Sequence, residues 1–372
     1  MRIAGQQNKE NFEITSNCLI WNLTKVCMSH IMALRFETAA GDWLSGGEIL
    51  THMEEPIMKK LLTLVLALAL IAVAVCAGAE GPFKVGVIQL MPHVALDAAT
   101  QGFKDTLEEK LGADNVTVDV QLAGESGNCT PIANNFVSDG VDLILGNATP
   151  ALQAAVQATD TIPVLGTSIT DYGTALGVAD WTGVSGINVS GSCDLAPLDQ
   201  QAAMILELFP DAQTVGLLYC SAEANSKYQV DGVREVLEAA GVTCKDFTFT
   251  DSNDISSVTL SATAECDVIY IPTDNTAANY TQAINDVVIP EGVPVVAGEE
   301  GICAGCGVAT LTISYYDIGV AAGEMAYEIL ANGADITTMP VRTAAQFTKK
   351  YNAQFASDLG VTIPDDYVAI EE

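Results

Sequence analysis

KVGVIQL (Lys84–Leu90) is the segment from which the fold class can be read. It is a short apolar run rich in β-branched residues and bounded by Pro82 and Pro92, and such runs are typical of buried β-strands. Residues 95–111 follow with apolar side chains at helical spacing, and a second apolar run covers residues 116–122. A strand, a helix and a strand in this order predict a βαβ unit with parallel strands and a right-handed crossover.

The alternation of strand and helix continues and then starts again. In the first half of the chain, further strands are predicted at 141–146, 162–166 and 183–189. After a helix at 197–209, the second half carries predicted strands at 214–219, 242–249, 267–271 and 293–297. Each series can form its own parallel sheet, so the predicted fold class is α/β with two Rossmann-like lobes.

We divide residues 80–372 into three segments according to the predicted lobes. We assign residues 80–190 to the first lobe and residues 191–306 to the second. Residues 307–372 are expected to return to the first lobe and to form the hinge, with 307–313 as a crossover strand. The part of the chain that follows Ala79 is long for one hydrophobic core and sufficient for two lobes.

An export signal precedes the lobes. In MKKLLTLVLALALIAVAVCAGA (Met58–Ala79), two lysines precede an almost unbroken apolar run that ends in small residues, which is the pattern of a secretory signal peptide. The run is somewhat short for a transmembrane span. We therefore expect an exported protein, periplasmic or on the cell surface. Cleavage after Ala79 and lipid anchoring at Cys76 both remain open. Residues 1–57 are interpreted as a non-native upstream extension before the true start or as a disordered leader.

Composition narrows the classes of partner. The chain has 15 Lys and Arg against 47 Asp and Glu, a formal net charge of -32. A surface this acidic repels phosphates, which argues against a nucleic-acid partner and suits a soluble exported protein. Seven cysteines follow Ala79, and an odd number outside the cell leaves at least one thiol unpaired or shared between chains.

Polar loops follow the predicted strands, where open parallel sheets bind their ligands. The loops of the first half offer hydroxyls, amides and helix N-termini, which favour an anion such as a carboxylate. Those of the second half offer Asp274, Glu299 and Glu300, which favour a cation such as an ammonium. Together they complement an α-amino acid. The alternative that these residues are ordinary helix N-caps remains open.

Catalytic signatures are weak. The sequence has neither a Gly-x-Ser-x-Gly elbow nor a Gly-rich phosphate loop with Lys. His93 is the single histidine after the signal, which is too few for a His-rich zinc site. Cys303 and Cys306 form a CxxC that could be redox-active, although a local disulfide or two small buried residues is the favoured interpretation. We therefore expect no enzyme, and we assign no catalytic residue, no metal and no cofactor.

Several segments carry a resemblance to a known family. The most specific are EANS (223–226) and PTDNT (272–276). With them, the chain resembles the exported substrate-binding proteins of ABC transporters, specifically the tryptophan/tyrosine-type family. The other matching segments lie at 85–90, 146–150, 183–186, 215–219, 298–301, 315–319 and 359–364.

The resemblance implies a type I periplasmic-binding fold whose hinged lobes close on an amino acid, often an aromatic one. It places the ligand carboxylate against Asn147, Ala148, Thr149 and Ser168. It places the ammonium on Asp274, with Asn275 and Ser226 beside it. Thr273 is a further expected ligand-binding residue. Gln89 and His93 would line the side-chain end of the cleft. Loss of Asp274 is then expected to cost about 2–5 kcal/mol of binding free energy.

The expected partners are an amino acid ligand and an ABC permease in the membrane, with the binding protein acting as a monomer. A sugar or nucleoside receptor on the same fold is an alternative, although sugar sites usually stack aromatic rings and these loops hold few. An enzyme that uses Cys303 and Cys306 is a further alternative, as is the sensory ectodomain of a signalling system.

Overall fold

The computed structural model of the protein describes residues 82–371 of the 372-residue chain. The predicted signal peptide, Cys76 and residues 1–57 lie outside the described residues. Residues 80–372 form one compact unit. Within the described part of that unit, none of the helices is both long and apolar enough to cross a membrane.

The first sheet contains six parallel strands in the order β11-β5-β4-β3-β1-β2. The register places Val85 of the opening strand between Val118 and Leu143 of its two neighbours. The strands are β1 (Phe83–Gln89), β2 (Val116–Leu122), β3 (Leu143–Asn147), β4 (Val164–Ile169), β5 (Val189–Cys193) and β11 (Arg342–Thr343).

The second sheet contains seven strands in the order β13-β12-β10-β9-β8-β6-β7, and its one antiparallel pair is β10 with β12. The strands are β6 (Thr214–Cys220), β7 (Thr243–Phe249), β8 (Val268–Ile271), β9 (Val295–Ala297), β10 (Ala309–Thr312), β12 (Thr348–Tyr351) and β13 (Val368–Ala369).

Helices connect the strands and cover both sheets. In the first half they are α1 (Val94–Leu111), α2 (Cys129–Asp139), α3 (Thr149–Ala158) and α4 (Tyr172–Leu176). In the second half they are α5 (Leu198–Leu208), α6 (Ala224–Ala239), α7 (Ile255–Thr263), α8 (Asn275–Asn279), α9 (Thr281–Glu291) and α10 (Glu300–Cys306). The last two are α11 (Tyr315–Asn332) and α12 (Ala353–Asp358).

The first sheet is buried on both faces, which explains its continuous apolar runs. Val85 and Val87 pack with Phe103 of α1 and Met325 of α11 on one face. Ile88 packs against α2 and α3 on the other. Helices α1 and α11 approach closely because Gly319 has no side chain. A Cβ at this position would overlap the carbonyl oxygen of Ala99.

The predicted α/β class with two lobes and a hinge is confirmed, and the chain crosses between the sheets three times. The crossings are residues 194–197, 313–314 and 344–347, each of which leaves a strand or helix of one lobe for an element of the other. Helix α11 and β11 belong to the first lobe.

Two details of the predicted organisation are wrong. The strand predicted at 183–189 begins only at Val189 and runs to Cys193, because Gly183 and Gly186 adopt positive φ and interrupt an extended backbone. The chain after Thr348 does not stay in the first lobe, because β12 pairs antiparallel with β10 of the second sheet. The first crossing accordingly follows Cys193 rather than residue 190.

Candidate functional site

The predicted site residues lie at the carboxyl ends of the strands, where the two lobes meet. Two side-chain contacts join the lobes at this point. His93 Nε2 of the first lobe is 3.3 Å from Asn275 Oδ1 of the second. Gln229 Nε2 of the second lobe donates to Thr170 Oγ1 of the first at 3.3 Å. The two lobes are therefore in direct contact at these two points.

Asn147 ends β3 and is fully buried. Its Nδ2 donates to the Leu96 carbonyl at 2.8 Å and to Thr100 Oγ1 at 2.9 Å, whereas its Oδ1 has no hydrogen-bond partner within the described residues. The next residue, Ala148, has a φ of 92° and leads directly into α3 at Thr149. A positive φ at a residue with a Cβ costs of order 1–3 kcal/mol and is typical of functional sites.

Ser168 repeats this pattern at the end of β4. It is buried, has a φ of 57°, and its Oγ has no hydrogen-bond partner within the described residues. The register between β4 and β5 shifts between Gly166 and Ile169, as a β-bulge would produce. We call Asn147, Ala148, Thr149 and Ser168 the first-lobe face.

Gln89 and His93 differ in what they offer a ligand. Gln89 is buried and internally bonded: its Oε1 accepts from Thr100 Oγ1, and its Nε2 donates to the Met91 carbonyl and Asp97. It therefore fixes the start of α1 more than it lines a cleft. His93 is half-buried at the N-cap of α1, and burial lowers its pKa, so the ring is neutral at pH 7.

Glu223 organises the facing side of the second lobe, and it was not among the predicted site residues. The side chain is 3% exposed. Its two oxygens accept five hydrogen bonds, from the N–H and Nδ2 of Asn275, the N–H and Oγ1 of Thr276, and Nδ2 of Asn225. It ties the loop after β6 to the start of α8.

Asp274 is the N-cap of α8 and is 1% exposed. It accepts from the N–H of Cys220 at 2.7 Å, from Ser226 Oγ at 2.7 Å and from the N–H of Ala277 at 2.8 Å. Burial, reinforced by the neighbouring charge of Glu223, raises the pKa of Asp274 to about 7. Because of these three hydrogen bonds, both carboxylate oxygens of Asp274 already have partners within their own lobe.

The structure brings the second-lobe residues predicted for the site together. Ser226 bonds Asp274, and Asn275 bonds Glu223. The N–H of the half-buried Thr273 donates to Gln229 Oε1. The Nε2 of the same Gln229 side chain donates to Thr170 in the other lobe. We call Glu223, Asn225, Ser226, Thr273, Asp274 and Asn275 the second-lobe face.

Two more buried acids lie at the hinge side. Glu299 was among the acids expected to favour a cation, whereas Asp194 was not predicted for the site. Asp194 directly follows β5 and accepts from Tyr315 Oη at 3.0 Å, while its Oδ1 has no hydrogen-bond partner within residues 82–371. Glu299 is the N-cap of α10, and burial raises its pKa to about 7. Asp194 was missed because the strand before it was predicted to end at residue 189, whereas β5 runs to Cys193 and Asp194 directly follows it.

Cys303 and Cys306 lie on α10 with their thiols buried. Their Sγ atoms donate to the carbonyls of Gly307 and Ile302, and both cysteines are unpaired. Burial raises the pKa of each thiol. A reactive cysteine needs the opposite environment, because the thiolate is the nucleophile. This geometry supports two small buried residues rather than a redox centre.

Comparisons with known proteins identify the family of the chain. The family model for ABC transporter substrate binding proteins matches residues 84–371. The chain belongs to this family. Proteins of this family are the extracytoplasmic, ligand-binding components of their transporters, and the fold class predicted for this member, a type I periplasmic-binding architecture, is confirmed.

Three relatives of this family member are informative. A tyrosine-binding protein of Clostridioides difficile (strain R20291) is 34% identical over 263 residues, which cover 70% of this chain and 76% of that protein. The structure of an ABC domain in complex with L-Trp from Streptococcus pneumoniae is 33% identical, with a TM-score of 0.73 over 76% of this chain and 96% of that chain. The ligand-free, open structure of a substrate binding protein with adhesive properties from Clostridium difficile is 33% identical, with a TM-score of 0.60 over 78% of this chain and 100% of that chain.

Proposed function

We propose that this ABC transporter substrate-binding protein captures an aromatic α-amino acid, tyrosine or tryptophan, between its lobes and delivers it to a membrane permease. The ligands printed for two relatives, tyrosine and L-Trp, support the aromatic class. The two complementary faces of the cleft support an α-amino acid.

One observation carries the proposal: polar atoms are buried without partners where a ligand would lie. Within residues 82–371, six buried side-chain oxygens lack a hydrogen bond, and four of them belong to the two faces or the hinge acid. Leaving a buried polar group unpaired costs about 1–3 kcal/mol. A polar ligand enclosed by the lobes would offset that cost. The four atoms are Asn147 Oδ1, Ser168 Oγ, Asp194 Oδ1 and Asn225 Oδ1.

The first-lobe face suits the carboxylate of the ligand. The first N–H groups of α3 have no partner within the helix, and the positive end of its dipole favours an anion. Ser168 Oγ can donate to the same group. Asn147 can only accept with its free oxygen, because its Nδ2 already donates twice. It therefore faces a donor of the ligand.

The mechanism is closure of the lobes around the ligand. At the same 33% identity, the structure superposes better on the L-Trp complex than on the ligand-free, open relative. The lobes also touch through His93 and Asn275. A ligand that bonds both faces binds the closed form more tightly than the open form, and this difference in affinity shifts the population towards closure.

The remaining features of the proposal follow from the sequence. The signal at Met58–Ala79 would direct export, either with cleavage or with lipid anchoring at Cys76. The protein would act as a monomer beside its permease, without enzymatic activity.

Titration calorimetry on residues 80–372 tests the proposal. We expect saturable binding of L-tyrosine or L-tryptophan with a micromolar Kd, which corresponds to about -8 kcal/mol. L-phenylalanine, L-leucine, a sugar and a nucleoside serve as comparison ligands. A response to the sugar or nucleoside and to none of the amino acids would contradict the proposed ligand class while leaving the fold and family intact.

A further inference from the structure

Four carboxylates are buried where the lobes and hinge meet, and no lysine or arginine of residues 82–371 pairs with any of them. An ionised carboxylate in such surroundings is costly unless hydrogen bonds or a cation compensate it. The four are Asp194, Glu223, Asp274 and Glu299. The hydrogen-bond donors around each carboxylate show which of the four is available to bind a cation.

Neutral donors of the protein satisfy three of the four. Glu223 accepts five hydrogen bonds and Asp274 accepts three. Glu299 accepts the N–H groups of Gly301 and Ile302, one on each oxygen, as a helix N-cap does. These three side chains hold loops and helix ends in place, and their oxygens already have partners.

Asp194 is the exception. It is 5% exposed, its Oδ2 accepts one hydrogen bond from Tyr315, and its Oδ1 has no hydrogen-bond partner among the described residues. Burial raises the pKa of Asp194 to about 6, so at pH 7.5 the group is still mostly ionised. Burial also raises the pKa of Tyr315, which keeps its hydroxyl protonated and able to donate.

Asp194 lies beside the junction of the two lobes. It leaves β5 on the first crossing, and its N–H donates to the carbonyl of Ile169, the residue after Ser168. Tyr315, its donor, follows the second crossing. Thr170, the residue after Ile169, accepts a hydrogen bond from Gln229 Nε2 of the second lobe.

We propose that Asp194, rather than Asp274, receives the ammonium group of the bound amino acid through its free Oδ1. The assignment rests on the proposed function. An ammonium group has three N–H bonds to donate. Asn147 Oδ1 and Asn225 Oδ1, the unpartnered acceptors of the first-lobe and second-lobe faces, are the groups available for the other two.

The test compares a ligand with its analogue that lacks only the ammonium group. L-tryptophan and indole-3-propionate are titrated into the purified exported protein and into Asp194→Asn, with L-tyrosine and 3-(4-hydroxyphenyl)propionate as a second pair. We expect the wild type to prefer the amino acid by roughly 30-fold or more, the range expected when one partner of a buried charge pair is removed. In Asp194→Asn this preference should fall to within a few-fold, while binding of the propionate is unchanged or tighter.

Asp274→Asn is the matched control. It removes the other buried aspartate with the same isosteric change, and we expect lower thermal stability with the preference for the amino acid retained. If Asp274→Asn abolishes the preference and Asp194→Asn keeps it, the ammonium belongs to Asp274 and our assignment is wrong. Asp194→Ser provides a second variant in case the asparagine variant does not fold.

The outcomes separate the two proposals. A wild type that binds none of the aromatic amino acids overturns the proposed function. A wild type that binds them, with the preference unchanged in both Asp194 variants, overturns the assignment of Asp194 alone.

Discussion

The two faces of the cleft differ in how their polar groups are satisfied. On the second-lobe face, Glu223 and Asp274 are buried and accept eight hydrogen bonds between them, all from their own lobe. On the first-lobe face, Ala148 and Ser168 adopt positive φ, and Asn147 and Ser168 each keep a buried oxygen without a partner within the described residues.

This difference separates support from recognition. The second-lobe acids join the loops after β6 and β8, so that they stabilise the lobe whether or not a ligand is bound. The first-lobe face keeps backbone strain and two unmet hydrogen bonds, which a bound ligand can compensate, whereas the second-lobe face keeps one unmet hydrogen bond, at Asn225 Oδ1. Acidic residues in a cleft are therefore weak evidence for a cation site until the partners of each oxygen are known.

The largest expected effect is on the folding of the second lobe. Replacing Glu223 with alanine leaves the buried donors of Asn275 and Thr276 unpaired. We expect Glu223→Ala to lower the free energy of unfolding by about 3–5 kcal/mol, because each unpaired buried donor costs about 1–3 kcal/mol before relaxation. Urea unfolding of the ligand-free protein measures this loss.

The control for this change is an exposed glutamate of the same lobe. Glu235 lies on α6 and is exposed, and Glu235→Ala should alter stability by no more than about 0.5 kcal/mol. A Glu223→Ala variant as stable as Glu235→Ala would show that the second-lobe face is not held together by this carboxylate, and the contrast between the faces would fail.

A smaller effect is expected from pH. Burial raises the pKa of Asp274 and of Glu299 to about 7 in the folded protein, from ordinary values of 3.8 and 4.5. As pH falls from 8 to 5, the folded state takes up protons that the unfolded state does not, so the free energy of unfolding rises. That stability is complete below the unfolded pKa values and is lost as pH rises through 7. We expect each group to contribute about 1–3 kcal/mol.

Glu299→Gln isolates one contribution to this pH dependence. Denaturant unfolding at several pH values should give a shallower rise on acidification for Glu299→Gln than for the wild type. The exposed Glu291, changed to glutamine, should leave the slope unchanged. A wild-type stability that decreases from pH 8 to pH 5 would mean that these acids are not buried as ionisable groups in the folded state.

Much of the fold was predictable because local pattern and tertiary role agree. Lys84–Leu90 is apolar on both faces since helices cover both sides of its sheet, and the βαβ order fixes the parallel neighbours. The prediction failed at β5, where glycines interrupt the extended backbone. It also failed after Thr348, where pairing with β10 is a long-range choice that no local signal records.

The candidate site was predictable in position but not in the role of each residue. The ends of β3, β4 and β8 carry the residues that strand order places there. Whether an acid is free or already bonded depends on N–H groups contributed by distant segments, as with Cys220 and Asp274. Asp194 was not predicted because the strand before it was placed too early in the chain.

The smallest effect tests the first-lobe face through Ser168. Ser168→Ala and Ser168→Gly both remove the unpartnered hydroxyl, so each should bind the amino acid about 3–10-fold more weakly if that hydroxyl donates to the ligand. Only glycine relieves the positive φ, which costs about 1–2 kcal/mol for a residue with a Cβ, less the entropy that glycine gains in the unfolded chain. Ser168→Gly should therefore be more stable than Ser168→Ala by about 0.5–1 kcal/mol, as measured by urea unfolding without ligand. Weaker binding together with higher stability is the opposite of the result expected for Glu223→Ala. If Ser168→Gly instead loses stability and keeps its affinity, the positive φ at Ser168 serves the packing of β4, and the distinction between a face that supports and a face that recognises must be redrawn.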